Sequence, residues 1–233
     1  MSLQKPFSRV CGWFGYCWHE IFANRSNAEI TQIRTVYANI YRSDLVNDMV
    51  GETTGHLNNL IFALCNGGRD EYLKTNEARA QEEALQLFKA FSSEINQNDP
   101  TGFFMNIIFT QNYDQLRMLF TEYERIAGRT LEQTIAELYR GALCEGLLSL
   151  VKIIKNRSAY FAELLYFYVN QSSTSEHDLI PLLVSRSEID LFDIIQEYER
   201  VYGRSLEEDI SNNFFGPLRS GLLAVIKGSQ FDD

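Results

Sequence analysis

The sequence predicts an all-α protein built from three copies of one helical unit, the first copy incomplete. Two observations carry this. Anchor residues recur in fixed register along the chain, and apolar residues follow helical spacing with no sustained period-two alternation. Tyr37, Tyr123 and Tyr198 each stand eight residues before a leucine: Leu45, Leu131 and Leu206. Each leucine stands ten residues before a glycine: Gly55, Gly141 and Gly216. Apolar pairs follow each glycine at Ile61-Phe62, Leu147-Leu148 and Leu222-Leu223, and Arg25, Gln111 and Arg186 lie twelve residues before the tyrosines. The offset is 86 residues between the first two copies and 75 between the next two. The eleven extra residues fall in the first connector, where Asn66 to Glu71 reads as a linker.

Taken in order, residues 1–66 form the first copy. Its opening helix has only residues 1–11 available, and Pro6 interrupts them. Residues 67–77 are the linker, 78–156 the second copy and 157–233 the third. An opening helix is expected over Ala78–Ala90, with Ala84, Leu85, Leu87 and Phe88, and another over Ser158–Val169, with Phe161, Leu164, Leu165 and Phe167. In the third copy, Leu179 to Val184 form a short apolar helix ending near Ser185-Arg186. Ile189, Phe192, Ile195 and Tyr198 belong to the next, which Gly203 ends with a left-handed cap. Ser205, with Glu208 three residues on, is the next N-cap; Gly128 and Thr130 repeat this stop and start in the second copy. That makes five helices per complete unit.

Of the 233 residues, 31 are acidic and 21 basic, a net charge of −10. The net charge is 0 over residues 1–75, −3 over 76–156 and −7 over 157–233. There is no Lys/Arg-rich stripe, so nucleic acid is not an expected partner, and an anionic membrane would repel the chain unless cations bridged the two. No apolar run reaches the roughly 20 residues that span a bilayer. Cys11, Cys17, Cys65 and Cys144 show no C-x-x-C spacing and read as free thiols. Lys5 and Arg9 before the apolar stretch Val10–Trp18 imitate a signal peptide. A small-residue cleavage site is missing, and the chain is read as non-secretory. No G-x-S-x-G, phosphate-binding glycine loop or H-E-x-x-H is present, and only three histidines occur, so no enzyme activity is expected.

The five-helix unit with these anchors resembles the annexin repeat. The resemblance is carried by Arg186-Ser187-Glu188-Ile189-Asp190-Leu191, Tyr202-Gly203-Arg204-Ser205-Leu206, Gly51-Glu52-Thr53-Thr54-Gly55 and Arg157-Ser158-Ala159-Tyr160-Phe161-Ala162-Glu163. The long connector resembles the one between the second and third annexin repeats. The chain is thus similar to repeats two to four, with the first repeat and most of the next opening helix missing, as a truncated isoform, a fragment or a mispredicted start would be.

The resemblance implies calcium-dependent binding to anionic phospholipid, phosphatidylserine included. Calcium takes six to eight oxygens. In annexins a glycine-rich loop between the first two helices offers carbonyls, and an Asp or Glu about forty residues later, between the fourth and fifth helices, completes the site. Carried onto this chain, the first copy's site falls on Ser8, Val10, Gly12 and Glu52, with Val10 and Trp13 replacing the family's first glycine and threonine. In the second copy the acidic position is Leu138, and the loop Asn96-Gln97-Asn98-Asp99-Pro100 lacks glycine. In the third it is Asn213, with the loop Asn170-Gln171-Ser172-Ser173-Thr174. One eroded site for Ca2+ is therefore expected, and Glu52 reads equally as a solvated carboxylate.

Arg25 and Arg186 are expected to cap carbonyls or pair with an acid, and the three tyrosines to lie in the core. Trp13, Phe14, Tyr16 and Trp18 either pack inside, cover a face left open by the missing repeat, or insert into a membrane. The reading is a cytoplasmic, peripheral, calcium-dependent phospholipid-binding protein with weakened calcium binding. The alternatives are a calcium-independent helical scaffold for protein partners, or an incomplete product with marginal folding.

Overall fold

The computed structural model describes residues 22, 23, 25–51, 53–72, 74–92, 99–170 and 176–229. Among them every regular element is an α-helix. The helices fall into two compact units, residues 1–155 and 156–233.

In the first unit, the first copy contributes α1 (Asn27–Tyr41), α2 (Leu45–Val50) and α3 (Gly55–Asn66). The second contributes α4 (Glu77–Ser92), α5 (Pro100–Thr110), α6 (Tyr113–Ala127), α7 (Leu131–Leu138) and α8 (Gly141–Lys155). The long pair α4 and α6 forms the spine of the second copy, and α3 packs against α5 and α8. Leu60, Ile61, Leu87, Phe104, Leu119, Tyr123 and Leu150 are fully enclosed in this core. The second unit holds α9 (Arg157–Asn170), α10 (Glu176–Ser187), α11 (Leu191–Tyr202), α12 (Leu206–Asn213) and α13 (Gly216–Gly228). There α9 packs on α11, and α13 on α10 and α12, around Phe161, Leu183, Ile194, Tyr198 and Leu206.

Each copy uses the same stop and start between its third and fourth helices. The residue after α6 is Gly128 at φ 67° and that after α11 is Gly203 at φ 66°; each donates its N–H to a carbonyl four residues back, on Glu124 and Glu199. Glycine suits a left-handed cap because it has no Cβ to meet the following carbonyl. The first copy makes the same turn with Arg42, at φ 54°, donating to Ala38. The N-caps that follow are Asp44, Thr130 and Ser205, each accepting from the N–H three residues on.

The opening helices run one residue or two past their expected ends. Ile189 departs from expectation: it lies in the turn before α11, 48% exposed, because Asp190 occupies the helix's N-cap position. The buried stripe of α11 is Leu191, Ile194, Ile195 and Tyr198. Phe192, Leu85 and Phe167, also expected on apolar faces, are each 41% exposed.

Among its described residues, the connector between Gly67 and Asn76 forms no helix but is tied down at several points. Arg69 donates from Nη1 to the carbonyls of Ile108 (2.9 Å) and Gln111 (3.0 Å), closing the C-terminus of α5, and its guanidinium lies 4.2 Å from the Tyr113 ring centroid. Asp70 N–H donates to the Thr110 carbonyl, and Asn76 exchanges two hydrogen bonds with the Gln115 side chain.

Candidate functional site

The loop between the fourth and fifth helices occurs three times: between α2 and α3, between α7 and α8, and between α12 and α13. The acidic position expected on it falls on Glu52, Leu138 and Asn213. Each loop delivers a glycine in left-handed conformation to the next helix: Gly55 at φ 63°, Gly141 at 63° and Gly216 at 61°.

Ser8, Val10, Gly12 and Glu52 lie outside the described residues, as do Trp13, Phe14, Tyr16 and Trp18. The surroundings of Glu52 are described. Asp44 caps α2, and Gly51 donates its N–H to Asn47. Asn58, on α3, reaches back with Nδ2 to the carbonyls of Val50 (3.0 Å) and Thr53 (3.2 Å), so one side chain fixes both flanks of the loop. His56 Nε2 lies 3.5 Å from a carboxylate oxygen of Asp99, the N-cap residue of α5. Within the first unit this brings the first copy's loop beside the start of the second copy's second helix.

The second loop is built differently. Leu138 is 47% exposed and offers no ligand oxygen. Tyr139 shares a 2.9 Å hydrogen bond with the Thr101 hydroxyl, and burial pushes its phenol above the ordinary range. Arg140 donates from Nη1 to the carbonyls of Ala136 (2.6 Å), Glu137 (3.0 Å) and Tyr139 (2.7 Å). A fixed positive charge therefore sits on the C-terminus of α7, beside Leu138. Asp99 and Pro100 are described, while residues 93–98 are not.

In the third loop Asn213 turns its amide back to donate to the Asp209 carbonyl at 2.9 Å. Phe214 is buried, and Phe215 stands 77% exposed. Asn170, at the end of α9, donates to the Tyr166 carbonyl and accepts from Arg204; residues 171–175 lie outside the described set. A calcium ion wants several oxygens and a full negative charge. Leu138 beside Arg140, and a neutral Asn213 turned toward its own helix, do not fit it. Among the described residues, no three His, Cys, Asp or Glu side chains gather as a metal site.

The arginines expected to pair do so. Arg25 meets Glu29 at 3.0 Å, and Arg186 is buried against Asp190, with a 2.6 Å bond from Nε and a 2.5 Å contact from the guanidinium end. Gln111, at the matching position, donates to Glu83 instead. Sequence reading missed Asn58, Arg69 and Arg140. The first and last are polar residues in helical or loop context with nothing to mark them, and Arg69 sits among the glycines of a presumed linker.

The family model for annexin matches residues 16–64 and 160–225. Human annexin A11 is 35% identical over 214 residues, which is 92% of this chain and 42% of that protein. The structure of chicken annexin V in complex with Zn2+ superposes with a TM-score of 0.83 at 34% identity, covering 92% of this chain and 67% of that one. Calcium-bound annexin (Sm)1 superposes with a TM-score of 0.76 at 25% identity over 90% of this chain and 63% of that one. The chain thus spans less than half of annexin A11. The repeated stop-and-start, the buried tyrosines and these likenesses lead to one assignment: the chain belongs to the annexin family.

Proposed function

We propose that this chain is a peripheral, cytoplasmic, calcium-dependent phospholipid-binding protein of the annexin type, organised as repeats over residues 1–66, 78–156 and 157–233 with a linker at 67–77. Calcium is held weakly and at the first repeat alone. The observation that carries this reading is the contrast among the three loops. Glu52 supplies a carboxylate where Leu138 and Asn213 supply none, and Asn58 fixes the backbone on both sides of it. Glu52, with carbonyls at Ser8, Val10 and Gly12, would hold the ion. A bound calcium supplies the positive charge that joins an acidic protein to lipid phosphate. Calcium-bound annexin (Sm)1 supports the reading by likeness. Loss of glycine at Val10 weakens the site, because the carbonyls then turn inward at a steric cost.

Sedimentation with phosphatidylserine vesicles tests it. Binding is expected in millimolar calcium, reversed by chelator and lost in Glu52→Gln. Binding unchanged by that substitution overturns the assignment of the site. A second reading, a calcium-independent helical scaffold for protein partners, is favoured by Leu138, Arg140 and Asn213. It predicts partners retained in chelator and no vesicle binding.

A further inference from the structure

In the third copy two arginines share one carboxylate. Arg186 Nε donates to Asp190 at 2.6 Å, and Arg157 Nε lies 2.9 Å from the same group. Arg186 and Asp190 are both buried, so the carboxylate balances charge that water cannot reach. In the first copy Arg25 stands at the position of Arg186, and Glu29 at that of Asp190. Glu29 is engaged elsewhere. One of its oxygens accepts from Arg25 Nη1, and the other accepts from the Ser26 N–H and hydroxyl in the capping box of α1. The second copy places the neutral residues Gln111 and Gln115 at these two positions.

Beside Arg25 the first unit contains a small cavity of about 20 Å³, where Arg25, Arg69 and Tyr113 meet Asn27, Ile30 and Leu64. No carboxylate lines it. The Arg25 side chain is 27% exposed, yet its Nε is buried without a hydrogen-bond acceptor. Arg69 uses Nη1 for the carbonyls of Ile108 and Gln111; its Nε and Nη2 meet no acceptor among the described residues, and it forms no ion pair among them. Burial pulls the Arg69 guanidinium below its ordinary range, as it does a cation short of counter-charge. Glu71 opposes this only in part, and its carboxylate accepts from the Asn27 N–H.

The acceptors around the cavity are taken. Asn27 Oδ1 receives the Gly68 N–H at 2.7 Å, the Arg69 carbonyl receives Asn27 Nδ2 at 2.7 Å, and the Ala23 carbonyl receives the Tyr113 hydroxyl. A water molecule here would meet donors and find few acceptors for its own hydrogens, whereas an anion needs donors alone. The volume admits one atom of about the size of water and excludes a four-oxygen anion such as phosphate.

We propose that this cavity binds a single halide ion, chloride, which stands between Arg25 and Arg69 as Asp190 stands between Arg186 and Arg157. The ion ties the connector to the start of α1. Thermal unfolding of the intact chain in sodium chloride, and in sodium isethionate of equal ionic strength, tests this. Chloride alone is expected to raise Tm along a saturating curve, by about 3 °C or more once it stands tenfold above its dissociation constant. Arg25→Gln removes the buried Nε and installs the residue that the second copy carries at this position. It should abolish the chloride-specific rise, as should Arg69→Gln. In crystals grown in bromide, an anomalous scattering peak is expected within hydrogen-bond reach of Arg25 Nε, and it decides the matter should either variant fail to fold. A Tm indifferent to chloride overturns the proposal. So does a rise that persists in Arg25→Gln, which marks a general salt effect. Water in the cavity of the bromide crystals, or a peak seen only at molar bromide, overturns it as well.

Discussion

The Tyr198 hydroxyl donates to the buried carboxylate of Asp209, eleven residues away, tying the middle of α11 to the middle of α12. The same tie recurs as Tyr37 to Asp48 at 2.9 Å and as Tyr123 with Thr134 at 3.0 Å. Arg204 completes the third copy's version, with Nε 2.9 Å from Asp209. Tyr198→Phe keeps the ring and removes the donor, leaving a buried carboxylate one bond short. A loss of about 1–3 kcal/mol in urea unfolding is expected. Tyr37→Phe, whose acceptor Asp48 is only half-buried, should lose less.

These ties also set an alkaline limit. Burial, then the neighbouring carboxylate, raises the phenols of Tyr37 and Tyr198 above their ordinary 10.0. Burial pushes the Cys65 thiol up to about 12 from 9.0. All three are acids whose folded form keeps its proton longer, so the unfolded chain binds fewer protons once pH passes the ordinary values. Stability is then full below about pH 9 and falls as pH rises through the window from 9 to 12 and beyond. Thermal melts across pH 7 to 11 should show a Tm that is flat at first and then declines. A Tm that rises above pH 9 would contradict the assigned burial.

The anchors legible in the sequence were those that recur: the tyrosines, the glycine caps and the N-caps Thr130 and Ser205 emerge in the structure in those roles. Recurrence is visible without coordinates because one fold imposes one backbone three times. What escaped notice occurs once. Arg69 stacks on Tyr113 and closes α5 from a stretch whose two glycines suggested only a loose connection. Arg140 and Asn58 act through contacts with carbonyls, and a carbonyl leaves no mark in a sequence. Ile189 was misplaced because periodicity cannot tell a helix's first turn from the turn before it.

Arg42 offers a direct comparison with its counterparts. It adopts the left-handed conformation at φ 54° where the other two copies place glycine, and its side chain is exposed. A non-glycine residue there costs roughly 1–2 kcal/mol, offset in part by the greater freedom glycine has in the unfolded chain. Arg42→Gly should therefore stabilise the protein by about 0.5–1 kcal/mol, raising the urea midpoint without changing the slope. Gly128→Arg should shift it the other way by a similar amount, since open space surrounds Gly128 and the backbone alone carries the penalty.

The second copy's loop departs from a calcium-binding arrangement by more than a missing carboxylate. Arg140 already sits on three carbonyls at the end of α7. A glutamate at position 138 would meet that guanidinium before it met a cation. The preceding loop also lacks the glycines that would turn carbonyls inward. Leu138→Glu in a Glu52→Gln background, which removes the ligand proposed for the first repeat, is therefore expected to show no calcium heat by titration calorimetry at millimolar ion. It should also show no calcium-dependent rise in Tm. Binding restored by this change would mean that the lost carboxylate alone silences the second repeat, and that Arg140 yields its carbonyls when a dication competes.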